Sequence, residues 1–252
     1  MTLTCCSILI LGLSIIVGSG SQEFSVVDLT HELNADTVYW PGNPGFLFTI
    51  LNRGPTPGGY WYESNKFETS EHGGTHLDAP AHFAEGKWRV HEIPAERLVG
   101  YGVVINVIDC VVENPDYRLK YFFLFFFSGF HPDAIDWLIQ YRNISMIGVD
   151  TPSTDYGQSK TFDTHQRMAK AGIIGLENVN NLDKIPPSGS TIFVGVIKLF
   201  DGSGGPVRIL ALTGRKAEPA CNCPLSGRNS GVSLSGCFLV LVVSMLFLSW
   251  MI

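Results

Sequence analysis

Three of the seven histidines in the 252-residue chain fall in one short stretch, His72-Gly-Gly-Thr-His76-Leu-Asp78-Ala-Pro-Ala-His82. Two neutral imidazoles and a carboxylate are good ligands for Zn2+ or Mn2+. A site of this kind with open positions lowers the pKa of a bound water to about 7, which makes a nucleophile at neutral pH. His82 stands beyond the first three ligands, and an imidazole with an unperturbed pKa near 6.5 suits proton transfer there. The competing reading is a polar loop whose side chains only hydrogen-bond one another.

The local backbone has to bring these groups together. A helix would stack His72 and His76 on one face, but Gly73, Gly74 and Pro80 disfavour a helix. In an extended segment, His76 and Asp78 share a face by the period of two, and the Gly-Gly pair lets the chain fold His72 towards them. Around the cluster, alternating or β-branched runs predict strands over 24–30, 46–51, 60–69, 101–110, 144–149, 173–176, 191–199 and 207–212. Apolar spacing predicts a helix over 132–141, with Pro132 in its first turn, and a shorter one over 164–171, closed by Gly172. Residues 181–185 read as a turn or short helix, and 40–45 (WPGNPG) as a turn. Many strands with few helices point to an α/β or α+β class. The run 121–127 (YFFLFFF) is too short to span a membrane and suits one fully buried strand.

A formal net charge of -6 argues against a nucleic-acid partner, which needs Lys and Arg to neutralise phosphates. The mean hydropathy of +0.18 is high for a soluble domain. Every Lys, Arg, Asp and Glu lies between Glu23 and Arg228, so much of the excess apolarity belongs to the two ends. Residues 1–21 have the apolar stretch and small-residue exit of a secretory signal peptide. A domain over 22–215 follows, then a linker and attachment region over 216–231. The C-terminal tail over 232–252 is hydrophobic and uncharged. Small residues, a short spacer and a terminal apolar tail are the pattern of a GPI-attachment signal, with Asn229 as the attachment site; the alternative is a transmembrane tail. Asn143-Ile-Ser145 is a sequon for N-glycosylation. Cys110, Cys221 and Cys223 remain outside the two ends, enough for one bridge but not a disulfide framework. The expected location is the secretory pathway and the cell surface, tethered to the membrane by the tail.

No Gly-x-Ser-x-Gly elbow is present, and Cys110 sits in an expected strand without a nearby base, which disfavours covalent nucleophilic catalysis. The glycine-rich 202–206 lacks the Lys-Ser/Thr of a phosphate loop and reads as a tight turn. His31, His91 and His131 have no partner pattern and read as structural or surface residues.

The stretch HGGTHLDAPAHF, residues 72–83, resembles the H-x-G-T-H-x-D-x-P-x-H-F signature of the metal-dependent cyclase-like hydrolases, a family that includes bacterial-type kynurenine formamidases and isatin hydrolases. Asp28-Leu-Thr-His31, Tyr39-Trp-Pro-Gly42, Gly148-Val-Asp-Thr-Pro-Ser153, Glu177-Asn178 with Asn181-Leu182, and Gly204-Gly-Pro-Val-Arg208 are also similar to the family. The resemblance spans roughly residues 25–212. It implies a swivelling β/β/α domain with a mixed, largely antiparallel sheet and a buried metal site, in dimers or tetramers. It further implies that His72, His76 and Asp78 hold one ion. A second ion would share Asp78 and take His165 and Glu177. The cofactor is then one or two Zn2+ or Mn2+ ions, and His82 is the general acid/base. From the residues themselves, Trp40 in its turn is a candidate aromatic wall of a substrate pocket, with core packing as the alternative, and Asp150 with Thr151, at the end of a strand, are candidates to support the ligands from behind.

The activity implied is hydrolysis of a C–N bond in a small amide, N-formyl-L-kynurenine giving L-kynurenine and formate. The alternatives are a cyclic amide such as isatin, or a catalytically silent surface protein that keeps the fold. One departure bears on these. Family members carry a longer segment, with a strand, where this chain has only residues 118–128. Either the phenylalanine run takes that strand's place, or the chain is an alternative or misassembled product.

Overall fold

The computed structural model describes residues 24–106, 127, 129–214 and 239–244. The expected leader, Cys110, Cys221, Cys223, Asn229 and residues 121–126 of the phenylalanine run lie outside them. In chain order the elements are β1 (Phe24–Asp28), β2 (Leu47–Pro55), β3 (Trp61–Glu68), β4 (His76–Asp78), β5 (Val99–Asn106), α1 (Pro132–Tyr141) and β6 (Ile144–Val149). They continue with α2 (Asp163–Ala171), β7 (Ile174–Glu177), β8 (Ser188–Val196), β9 (Gly204–Gly214) and β10 (Leu239–Ser244).

An eight-stranded sheet runs β1-β9-β4-β7-β6-β10-β5-β8, and β8 also pairs with β9, so that all strands of this sheet but β1 close into a barrel. The pairings among β5, β10, β6 and β7 are parallel, and the others in the sheet are antiparallel. This is the expected α/β class with a mixed, largely antiparallel sheet. β2 and β3 form a separate two-stranded arm carrying Phe48, Ile50, Trp61 and Phe67 exposed.

The core explains why particular runs became particular elements. All six residues of β6 are buried. Met146 packs in the larger core with Leu77, Leu176, Ile192 and Ile209, whereas Ile147 and Val149 pack with Ile135 of α1 and Met168 of α2. A strand covered on both faces reads as a continuous apolar run rather than an alternation. On β9, Val207, Ile209 and Ala211 are buried and Arg208 between them is exposed, the period of two seen from one strand. Helix α1 starts at Pro132, whose fixed φ suits the first turn, and the His131 ring accepts the Asp133 N–H at 3.2 Å. Helix α2 stops at Gly172, which takes the left-handed conformation, φ 74°.

Several boundaries differ from the sequence reading: β1 stops at Asp28, and β2 runs on to Pro55, four residues past its expected end. The strand expected over 191–199 is β8, Ser188–Val196, because Ser188 and Ser190 pair with β5 while residues 197–200 leave the sheet. The glycine-rich 202–206 is not a tight turn throughout: Gly204, Gly205 and Pro206 begin β9 and pair with β4. The place between β5 and β6 is taken by β10, from the C-terminal tail. Of the phenylalanine run only Phe127 is described, and it is buried. Among the described residues no helix is long and apolar enough to cross a membrane.

Candidate metal centre and active site

The three-residue strand β4 is held between β7 and β9. Its register sets His76 opposite Glu177 on β7, and Asp78 opposite Gly175 on one side and Gly204 on the other. The two neighbours without side chains leave room beside the Asp78 carboxylate. At Gly204 a Cβ would sit 2.4 Å from the His72 ring, so only glycine lets β9 pass there. His72 is folded back towards the cluster by the turn through Gly74, φ +56°. His76 and Asp78, expected on one extended face, are both buried in β4.

His165 arrives from a different layer, in the first turn of α2. The Asp155 carboxylate accepts the backbone N–H groups of Thr164 and His165, each at 3.0 Å, and so satisfies donors that a helix start leaves open. The same carboxylate meets His165 Nδ1 at 2.5 Å. His165 Nε2 then faces Glu177 Oε1 at 3.0 Å and Asp78 Oδ2 at 3.3 Å. Glu177 Oε1 is itself held by the Thr154 N–H at 2.8 Å.

The other two histidines repeat this arrangement. His76 Nδ1 donates to the Gly74 carbonyl at 2.9 Å, leaving Nε2 facing Asp78 Oδ1 and Glu177 Oε2, both at 3.4 Å. His72 Nε2 meets Ser203 Oγ at 2.9 Å, and that hydroxyl donates to Glu71 Oε2 at 2.6 Å. His72 Nδ1 consequently points its lone pair at Asp78 Oδ1, 2.7 Å away. In each ring the outer nitrogen is engaged as a donor and the inner nitrogen faces a carboxylate oxygen. Lone pair opposed to lone pair is repulsive unless a cation lies between them. A divalent ion fits that requirement, and the outer contacts fix each tautomer for binding it. His76, Asp78 and Glu177 offer ligand atoms within 4.8 Å of one another, as do His72, Asp78 and His82, so Asp78 belongs to both groups.

The electrostatics agree. Burial alone would push His76 down, but Asp78 and Glu177 outweigh it and carry the ring up to about 9. Burial opposes His165 in the same way, and Asp155, Asp78 and Glu177 hold its pKa well above the usual value. Burial raises Asp78, and the hydrogen bonds of His165, His72 and His76 overcome this and hold it well below the carboxylate range. With a proton as the only cation, the site is therefore charged and paired.

His82 ends the short turn Pro80–His82, its ring stacked on His72 at 3.8 Å between centroids and 6.3 Å from that of His165. Burial pushes it down to about 4, with the Asp78 charge opposing, so the ring is neutral at pH 7 and able to accept a proton. A cavity of about 230 Å³ opens above the ligands. Its walls are Val38, Tyr39, Trp40, Phe83, Pro152 and Phe162, and the Trp40 and Phe162 rings meet edge-on at 6.0 Å.

The remaining sequence candidates are not among the ligand atoms of the cluster. Thr151 is buried, its hydroxyl donating to the Ser153 carbonyl at 3.1 Å, and its own carbonyl accepts the Asn178 N–H. Asp150 is half-buried at the end of β6. Asn143 is exposed between α1 and β6, while Ser145 of its sequon is buried. His91 accepts the Asp201 N–H, and the His31 N–H donates to Thr75 Oγ1. Sequence reasoning missed Asp155, Thr154, Ser203 and Glu71. None shares a helical or strand period with the ligand it holds, and Ser203 lies far along the chain from His72. Phe83 stood in the quoted signature without a role, and Phe162 carried no signal.

Comparison with known proteins agrees with this geometry. Residues 27–121 match the family model described as "Putative cyclase". The chain is 30% identical over 159 residues to the kynurenine formamidase of Bordetella avium, covering 55% of this chain and 75% of that protein. It is 28% identical over 200 residues to the kynurenine formamidase of Bacillus thuringiensis, covering 72% and 94%. Isatin hydrolase A from Labrenzia aggregata, solved with benzyl benzoate, superposes with a TM-score of 0.64 at 27% identity, over 76% of this chain and 94% of that one. With the signature histidines and Asp78 converging on a buried divalent-metal site, the chain belongs to the cyclase family of metal-dependent hydrolases, alongside the bacterial kynurenine formamidases.

Proposed function

We propose that the protein is an arylformamidase-like amidohydrolase, acting on N-formyl-L-kynurenine and water to give L-kynurenine and formate. The observation that carries this is the junction of two environments: an aromatic cavity whose floor is the cation-demanding cluster around Asp78, with His82 on its rim. A bound Zn2+ or Mn2+, as one ion or two, supplies polarisation of the amide oxygen and an acidified water. His72, His76 and Asp78 would hold one, and Asp78, His165 and Glu177 the other. His82 Nδ1 or Nε2, neutral at working pH, takes the proton from water and returns it to the departing arylamine nitrogen. Tyr39, Trp40, Phe83 and Phe162 bind the aryl ring and keep bulk water away. The same walls would accept a fused-ring cyclic amide, which is the second reading and has the likeness to isatin hydrolase behind it.

The exposed apolar arm of β2 and β3 supports self-association as a dimer or tetramer. The leader pattern, the exposed Asn143 and the small-residue stretch before the tail support export to the cell surface. The test uses the full chain, stripped of metal and reloaded with Zn2+ or Mn2+, assayed on N-formylkynurenine, formanilide and isatin. Turnover of a formyl-arylamine that disappears in Asp78→Asn is the expected result. Metal binding without turnover of any of the three would overturn it.

A further inference from the structure

The last described strand comes from a stretch that reads as a membrane address, yet its pairing is that of a central strand. Residues Leu239–Ser244 pair in parallel with Tyr101–Asn106 of β5, and Leu239–Val243 pair in parallel with β6 from Ile144 to Val149. β5 has β8 on its other side and β6 has β7. Without β10, each keeps one ladder and the barrel stands open at that place. The sequence LVLVV is aliphatic and rich in β-branched residues, as a strand between parallel neighbours requires. The connection is long enough: residues 215–238, at about 3.3 Å each, reach on the order of 80 Å, several times the ~20 Å of a six-residue strand.

We infer that the gap between β5 and β6 is a strand-acceptor site for an extended, uncharged, β-branched segment, and that residues 239–244 fill it in cis. The tail is thereby a working strand of the hydrolase domain. Attachment of an anchor at Asn229 would remove the residues after it, β10 included. A tethered chain and a closed barrel are then alternative states of one sequence. The inference is independent of the amide-hydrolysis reading.

Hydrogen exchange on the full chain, made in a membrane-free translation system so that the tail is retained, tests it. Amides of 240–244 are expected to be protected together with those of 103–105 and 146–148. Val242→Pro removes a ladder donor from a central strand. It should speed exchange in all three stretches at least tenfold, with smaller changes in β4 and β9, whereas Val242→Thr should preserve protection. If Val242→Pro does not fold, the wild-type pattern decides. Exchange of 240–244 at the rate of an unstructured peptide, while β4, β7 and β9 stay protected, overturns the inference. Protection confined to a dimer fraction on size exclusion overturns filling in cis.

Discussion

Asp155 grips His165 twice, accepting its backbone N–H at 3.0 Å and meeting its Nδ1 at 2.5 Å, so one carboxylate both starts helix α2 and aims a ligand. Burial raises Asp155, and the contacts with His165 more than offset that and lower its pKa. Asp155→Asn keeps a hydrogen-bond acceptor for the helix but removes the charge behind the ring. Metal affinity should fall about 10–100-fold, the range for partners that orient a ligand histidine. Thermal unfolding and metal titration of the same variant separate the two roles. A lower melting temperature with unchanged affinity would mean that Asp155 serves only the helix.

His82 is a proton carrier in this reading, not a ligand. His82→Ala should lower kcat about 10²–10⁴-fold with metal content unchanged. If bound metal drops in step with activity, the grouping of His82 with His72 and Asp78 is a ligand set instead.

The raised histidines predict how metal binding depends on pH. Below about 9, His76 holds a proton where an ion must sit, and Asp155, Asp78 and Glu177 raise the His165 pKa in the same direction. Metal affinity should therefore rise with pH towards 9, with protons released on binding. Calorimetry in two buffers of different ionisation enthalpy measures that release; zero release at pH 7 would contradict the paired cluster.

Two contributions to the stability of the metal-free protein oppose one another between pH 4 and pH 9. His76 titrates higher folded than unfolded, so its contribution is full below about 6.5 and is lost as pH rises through about 9. His82 titrates lower folded than unfolded, so its contribution is full above about 6.5 and is lost as pH falls through about 4. Melting temperatures of chelated protein should accordingly fall towards both pH 4 and pH 9. His82→Gln should flatten the fall between about 6.5 and 4 and leave the alkaline side unchanged.

Gly129 follows the phenylalanine run and packs on the loop that carries Asp155. A Cβ there would lie 2.2 Å from the Asp155 carbonyl carbon and 2.3 Å from the Tyr156 nitrogen, both backbone atoms that cannot swing aside. Gly129→Ala should cost about 1–3 kcal/mol, as overpacking does, read by denaturant unfolding. It should also weaken metal binding through Asp155.

Much of the ligand set was legible because it is local: His76 and Asp78 are two residues apart on one strand, and their chemistry names a metal before any fold is known. Helix α1 and strand β6 were legible because each buries a face or a whole run that shows in its period. The contacts between Asp155 and His165, and between Ser203 and His72, were not, since only the closed sheet and the packed helix bring those segments together. The extent of β9 was hidden for the same reason. Gly204 looks like a turn residue until the His72 ring is seen against it.

β10 also sets an order of events. It is synthesised after every other described strand, yet it lies between two strands made much earlier. Pairings this distant along the chain form slowly, and a growing chain folds from its start. Until residues 239–244 emerge, β5 and β6 each present an open edge, the feature that invites pairing with foreign strands. A nascent chain thus remains unsealed until residues 239–244 have emerged, and chaperone demand should be greatest just before they appear.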